Sequence, residues 1–158
     1  MISLQNQIYL SKKLFRTIYV SESIYILGGK DSDFKGGPLL NIIQFLKIGL
    51  PEAMLYEAAR LMGLNKKHVI LLIGKASGST SLKFVCRLSP NQSERMLMII
   101  EVLAQAEQYH GNNAAALKWL NTPNLQLYNE TPLNYLDTVM GIKLVSEELN
   151  KLSHGMTT

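Results

Sequence analysis

From residue 39 onward, apolar side chains recur at the three- and four-residue spacing of an α-helix. A first apolar segment spans residues 39–48. Pro51 is suited to the first turn of the next helix, which Gly63 should end. The inward positions of that second helix are Met54, Ala58, Leu61 and Met62. Asn65 can cap a third, shorter helix that runs to Gly74.

Two helices joined by a tight turn that contains Gly63 are typical of the start of a helix-turn-helix. The next helix of such a motif is the recognition helix, which would begin after Gly74. Residues 75–81 hold an interior glycine and several hydroxyl side chains, and both features disfavour a helix. We therefore expect any helix there to be short or irregular.

The longest helix is predicted to follow Ser89, because Ser89 and Gln92 have the spacing of a capping box and Pro90 takes the first helical position. It should end at Gly111, with an inward face formed by Met96, Ile99, Ile100, Leu103 and Ala106. Shorter helices are predicted over residues 113–120, from Thr131-Pro132, and near residue 150. The last of these carries Leu144, Val145, Leu149 and Leu152 on one side.

The first 38 residues give a weaker pattern. Residues 18–20 and 24–27 are β-branched and aromatic, so they could form short strands or helix ends. Glycine pairs at 28–29 and 36–37 indicate a loop, and neither precedes the Gly-Lys-Ser/Thr sequence of a phosphate-binding loop. The pattern predicts an all-α fold with an N-terminal segment (1–38), a helix-turn-helix region (39–104) and a small C-terminal helical domain (105–158).

The composition argues against several classes of protein. A chain of 158 residues suits one domain, or two small ones that share a core. Apolar runs such as residues 69–73 are too short to span a membrane, and the first residues lack the features of a secretory signal. One cysteine, Cys86, and three separated histidines provide neither a disulfide framework nor a metal site. We expect a cytoplasmic protein without a metal, a cofactor, a membrane segment or a small-molecule substrate.

Charge is distributed unevenly along the chain. Residues 1–90 hold 12 of the 16 Lys and Arg residues and 5 of the 12 acidic residues, which gives +7. Residues 91–158 hold 4 basic and 7 acidic residues, which gives −3. No acidic residue occurs from 58 to 93, a window with six basic residues. Such a window can attract a phosphate backbone, and it can equally be a solvated basic face.

No group of residues indicates catalysis. Residues 79–81 carry hydroxyl groups near Lys83, but nothing in the sequence fixes a base or an oxyanion site, so we predict no catalytic residue and no enzyme. Trp119 could be a binding hot spot, although a lone tryptophan in a small helical domain is more often a core residue. His110 is expected at a helix C-terminus, where its charge would favour the helix dipole, and Cys86 is expected to be buried.

The ordered residues from 88 to 155 resemble the Xre/MbcA/ParS family of antitoxins, in particular the Xre partner of RES-domain toxins. The resemblance covers residues 50–156 and is strongest in their second half. It is carried by Leu88, Ser89, Ser93, Glu94, Arg95, Ala106, Gly111, Ala115, Trp119, Leu120, Pro123, Leu127, Pro132, Leu133, Leu136, Thr138, Gly141, Val145, Leu149 and Gly155.

The resemblance implies a two-part protein, with a helix-turn-helix in front and a toxin-binding helical domain behind. It implies that the partner is a cognate RES-domain toxin that consumes NAD by hydrolysis or ADP-ribosyl transfer. In this family the C-terminal end of the antitoxin closes the toxin's active site. The implied toxin-binding residues are Trp119, Tyr128, Tyr135, Leu149, Leu152, His154, Gly155, Met156, Thr157 and Thr158.

The helix-turn-helix region departs from the family. Many members begin the recognition helix with Arg-Thr-Leu and continue with further arginines, whereas residues 76–78 are Ala-Ser-Gly. Lysine contacts to phosphates would add affinity with little sequence information. The residues that could contact operator DNA are Lys66, Lys67, Lys75, Ser77, Ser79, Thr80, Lys83 and Arg87.

The sequence is compatible with three functions. The first is an antitoxin that neutralises a RES-type toxin. The second is a DNA-binding autoregulator of its own operon, a role that could coexist with the first. The third is an adaptor whose residues 1–38 bind another partner, although the same segment could supply the contact of a homo-oligomer such as a dimer.

Overall fold

The computed structural model describes residues 43–44, 46–74 and 87–155, and these residues are mostly helical. Helical backbone at residues 43–44 and 46–48 is followed by α1 (Met54–Met62), α2 (Lys66–Leu72), α3 (Pro90–His110), α4 (Asn113–Leu120) and α5 (Val139–Ser153). Short 3₁₀ turns occupy Leu125–Leu127 and Pro132–Tyr135. The predicted all-α class is confirmed. The candidate strands at 18–20 and 24–27, and the whole segment 1–38, lie outside the described residues.

Several predicted helix boundaries are confirmed by their caps. Gly63 ends α1 in the left-handed conformation, with φ of 61°. The Asn65 side chain accepts a hydrogen bond from the backbone N–H of His68 at the start of α2. Ser89 and Gln92 form the capping box of α3, with Pro90 at the first position, and Gly111 ends that helix.

Two boundaries differ from the prediction. Pro51 lies ahead of α1, in a turn in which its carbonyl accepts from the N–H of Met54, and α1 begins only at Met54. The helix predicted from Thr131-Pro132 is a single 3₁₀ turn, and a true α-helix starts at Val139. A second N-cap explains the restart, because the Thr138 hydroxyl accepts from the backbone N–H of Gly141.

The long helix α3 forms the centre of the molecule. It packs against α1, α4 and α5. Its inward face contains all five residues predicted from the spacing: Met96, Ile99, Ile100, Leu103 and Ala106. Because α3 runs through residues 104 and 105, the segment boundary expected there falls within a continuous helix and a continuous core.

A buried hydroxyl ties the N-terminal part of the core to α3. Ser93 is fully buried, and its Oγ accepts from the N–H of Leu50 at 2.9 Å while donating to the carbonyl of Ser89 at 2.9 Å. The N–H of Leu88 donates to the carbonyl of Leu50 at 2.8 Å. The chain entering α1 and the chain entering α3 are therefore held side by side.

Across the described ranges of the chain, no helix is both long enough and apolar enough to cross a membrane.

Candidate partner-binding surface

A small loop follows α4 and is organised by one asparagine. We define the 124–130 loop as these seven residues, which connect α4 to the second 3₁₀ turn. The N–H of Asn124 donates to the carbonyl of Glu130 at 3.0 Å, and the carbonyl of Asn124 accepts from the N–H of Asn129 at 2.9 Å. The Asn124 side chain accepts from the N–H of Gln126 at 2.9 Å. These bonds close the loop at its base, as asparagine often does in turns.

The loop buries one apolar residue and exposes two others. Leu127 is 1% exposed and belongs to the core, whereas Leu125 is 84% exposed and Tyr128 is 90% exposed. The buried Leu127 side chain attaches the loop to the core, while the side chains of Leu125 and Tyr128 face solvent. Tyr128 and Asn129 both have positive φ, 54° and 65°, a conformation that is uncommon for an aromatic residue.

Tyr135 braces this loop from the second 3₁₀ turn. Its hydroxyl donates to the carbonyl of Leu127 at 3.0 Å, and the ring is half-buried against the core. A further bond joins the Asn134 side chain to the carboxylate of Glu130 at 2.8 Å. Tyr135, predicted to contact a toxin, therefore has an architectural role in the fold.

The start of α5 lies directly against the second 3₁₀ turn, and this contact requires a glycine. A Cβ on Gly141 would lie 1.9 Å from the carbonyl oxygen of Tyr135. Only a residue without a side chain permits this approach. Gly141 thus fixes where α5 begins relative to the loop.

Helix α5 has a buried face and an exposed face, and the sequence pattern identified them only in part. Val145 and Leu149 are buried as predicted, whereas Leu144 is 38% exposed. Leu149, at 1% exposure, packs in the core, and its contact with a toxin stays a prediction. Met140 is 74% exposed at the N-terminal end of the helix.

The C-terminal end of α5 is open to a partner. Leu152 is half-buried, while His154 and Gly155 are exposed. Nδ1 of His154 lies 2.7 Å from the carbonyl oxygen of Asn150, and Gly155 follows with φ of 67°. The left-handed glycine follows the end of the helix. Met156, Thr157 and Thr158 lie outside the described residues.

Trp119 is half-buried and packs against the core, where it contacts His110. The two ring centroids lie 5.7 Å apart, and the Tyr109 ring meets His110 edge-on at 4.8 Å. His110 is the last residue of α3, as predicted, but burial lowers its pKa from 6.5. The fold favours the neutral imidazole, so the predicted charge interaction with the helix dipole is not supported.

Three of the eight predicted DNA-binding residues are described. Arg87 donates from Nη1 to the carbonyl of Gly49 at 2.5 Å, so it helps to hold the chain ahead of α3. Lys66 lies over the ring of Tyr56, 4.3 Å from its centroid, and Nζ is 3.2 Å from the phenol oxygen. Lys67 is exposed. The others, Lys75, Ser77, Ser79, Thr80 and Lys83, lie outside the described residues, as does Cys86.

A shallow groove of about 200 Å³ lies between α3 and α5. Met98, Glu101, Val102, Ile142, Lys143, Ser146 and Glu147 line it. In the ranges that the structure describes, no cluster of His, Cys, Asp and Glu could hold a metal ion. The groove is open and of mixed polarity, unlike the concave, largely apolar pockets that hold small ligands.

Comparison with known proteins decides what this arrangement resembles. Residues 105–155 match the family model of the antitoxin Xre/MbcA/ParS C-terminal toxin-binding domain. An antitoxin Xre from Yersinia enterocolitica is 30% identical over 71 residues. These two findings show that residues 105–155 are similar to the C-terminal toxin-binding domain of Xre/MbcA/ParS antitoxins. The match with the Yersinia protein covers 44% of this chain and 48% of the relative, so the chain spans less than half of that protein.

The Xre/MbcA/ParS match begins at residue 105, inside α3, and contains the loop and α5. It therefore includes Leu125 and Met140, two exposed apolar residues that sequence reasoning missed. Leu125 had a detectable signal, since it follows the turn-forming pair Pro123-Asn124 and helix burial is not expected there. Met140 had no such signal, because its exposure depends on where α5 begins.

Proposed function

We propose that this chain is the antitoxin of a type II toxin–antitoxin module. In this proposal it binds a RES-type, NAD-consuming toxin and occludes the toxin's active site with its C-terminal domain and the residues that follow α5. The chain supplies no catalytic group; it acts by binding. Its natural setting is the cytoplasm, where a toxin that consumes NAD would act.

The observation that carries the proposal is the match of residues 105–155 to a toxin-binding domain. In the structure this range includes the end of α3, all of α4 and all of α5, and these helices pack on one core. Its surface bears exposed apolar residues at Leu125, Tyr128 and Met140. Exposed apolar groups on a small folded domain are typical of a protein-binding surface.

The occluding element in this proposal is residues 154–158. Helix α5 ends at Ser153, and Gly155 adopts a left-handed conformation that does not continue a helix. A narrow chain can enter a cleft that a helix of about 10 Å diameter cannot. His154 would be the first side chain of this element.

The first test is co-expression with the product of the adjacent gene. We expect the two proteins to co-purify and the depletion of cellular NAD by that product to be suppressed. Failure to co-purify, together with unhindered NAD depletion, would contradict the proposal.

The second test separates binding from inhibition by deleting residues 154–158. We expect the truncated chain to bind the toxin through its folded domain but to inhibit it at least about tenfold less well, because the active site is no longer filled. The control is Asn150→Ala, which shortens an exposed side chain on α5 and leaves residues 154–158 intact. Full inhibition by the truncated chain with unchanged binding would show that these residues do not occlude the site.

A second candidate function is transcriptional autoregulation through α1, α2 and the basic residues that follow. It is favoured by the window from 58 to 93, which contains six basic and no acidic residues. A mobility-shift titration on the promoter of the chain's own gene, across a salt series, tests this function against random DNA. Equal affinity for both DNAs at every salt concentration would exclude specific repression. A dimer, with residues 1–38 as one possible contact, would give such binding two half-sites.

A further inference from the structure

We propose that the 124–130 loop is a preformed docking knob, with Tyr128 and Leu125 as its anchors, that enters an apolar pocket on the toxin. This inference rests on the proposed function, because it takes the toxin as the occupant of this surface. It goes further by assigning affinity to the loop, separately from the inhibitory role of residues 154–158.

Hydrogen bonds and a buried side chain hold the loop in one conformation. Asn124 closes its base through backbone bonds to Asn129 and Glu130, and its side chain bonds to Gln126. Buried Leu127 and the hydroxyl of Tyr135 fix the loop to the core. A loop held in this way loses little conformational entropy when it binds, so more of the contact energy appears as affinity.

Tyr128 combines an exposed side chain with a backbone conformation that is unfavourable for tyrosine. The side chain is 90% exposed, so core packing does not explain an aromatic residue there. Its φ of 54° is better suited to glycine or asparagine. A bulky residue at a position that costs stability and contributes little to the core is expected where the side chain has a binding role.

The low charge of the loop indicates which kind of surface on the partner it would fit. The loop contains one charged residue, Glu130, and its carboxylate accepts a hydrogen bond from Asn134. Leu125 and Tyr128 are therefore exposed apolar side chains of a loop that carries a single charge. The complementary site is a concave apolar pocket that accepts a tyrosine ring, as is common at the centre of protein interfaces.

The chain offers matched controls for both residues. Tyr56 and Leu71 are each 63% exposed, but they lie in α1 and α2, outside the matched toxin-binding domain. Replacing them with alanine removes the same chemical groups from another part of the surface. If affinity depended on exposed apolar area in general, all four substitutions would weaken binding. If the loop docks, only the substitutions of Tyr128 and Leu125 should weaken it.

The experiment measures the affinity of the full-length chain for the purified product of the adjacent gene by titration calorimetry. Tyr128→Ala and Leu125→Ala should each weaken binding about tenfold or more. Tyr56→Ala and Leu71→Ala should leave it within about twofold. Tyr128→Gly, which suits the positive φ, should weaken binding as much as Tyr128→Ala while its thermal midpoint does not fall. Because the contact is apolar, the ratio between wild-type and variant affinities should be the same at low and high salt.

The outcomes distinguish this inference from the proposed function. If the wild-type chain does not bind, both are overturned. If it binds and the loop variants bind equally well, only the docking knob is wrong. A loss that disappears at high salt would also overturn the apolar pocket.

Discussion

At the scale of single residues, two backbone positions determine the shape of the C-terminal surface. Tyr128 holds a conformation that glycine adopts more readily, and it presents its ring to solvent. Gly141 differs from Tyr128, because its backbone conformation is that of an ordinary helical residue. It must be glycine because the carbonyl of Tyr135 lies where a side chain would be. One residue favours presentation of a side chain, and the other permits close packing.

Gly141→Ala tests the second of these positions. A Cβ would lie 1.9 Å from the carbonyl oxygen of Tyr135, so α5 or the second 3₁₀ turn must move. We expect the free energy of unfolding to fall by about 3 kcal/mol or more, measured by urea denaturation.

Gly111→Ala is the matched control. A Cβ there would meet nothing within 4 Å, so only the positive φ of 86° opposes it. We expect a loss of about 1 kcal/mol. Equal losses for the two variants would contradict the packing role of Gly141.

At the scale of elements, the sequence predicted best where a helix carries its own start and stop signals. The capping box at Ser89 and the left-handed glycine at Gly111 are local, so α3 could be bounded from the chain alone. The start of α5 could not be located in the same way. Thr138 can be recognised as its cap only once Pro132–Tyr135 is known to form a 3₁₀ turn that Gly141 packs against. The spacing grouped Leu144 with Val145 and Leu149 on one apolar side, although Leu144 is 38% exposed. Met140, which is 74% exposed at the start of α5, was not selected.

The candidate site was predictable to a similar extent. Tyr128 was selected from the sequence as a surface aromatic, and its exposure is consistent with that choice. Leu149 is buried in the core, because amphipathic spacing identifies an apolar face without showing whether the fold or a partner covers it. Residues 75–83 and 156–158, which carry other predicted contacts, lie outside the described residues.

The junction of α3 with α4 gives a pH-dependent prediction. Burial lowers the pKa of His110 from 6.5 in the folded chain, so the unfolded state binds a proton more readily. Stability is therefore full above about pH 7 and decreases as the pH falls through about 6.5 toward the folded pKa. We expect His110→Gln to show a smaller decrease in thermal midpoint than the wild type between about pH 7.5 and pH 5.5.

His154→Gln is the control for this measurement, because His154 is exposed at the end of α5. Its midpoint should follow that of the wild type across the same range of pH. A wild-type pH dependence that persists unchanged in His110→Gln would exclude the buried imidazole as its source.

At the scale of the whole molecule, the structure suggests a division of roles around α3. Its first part is tied to the chain that leads into α1 through Ser93, and its second part supports α4 and α5. Arg95 on α3 also donates to the carbonyl of Asp137, in the turn ahead of α5. In the proposed complex, the loop provides affinity, residues 154–158 provide inhibition, and α1, α2 and the basic window are left for the second candidate function, DNA binding.

The most direct measurement of the central claim is NAD consumption by the purified product of the adjacent gene, titrated with the full-length chain. The account predicts that the rate falls with each addition and is abolished once the chain reaches the stoichiometry of the complex. The chain with residues 154–158 deleted should bind and leave most of the rate. If the rate is unchanged when the full-length chain is in excess, the chain does not neutralise this toxin and the account is wrong.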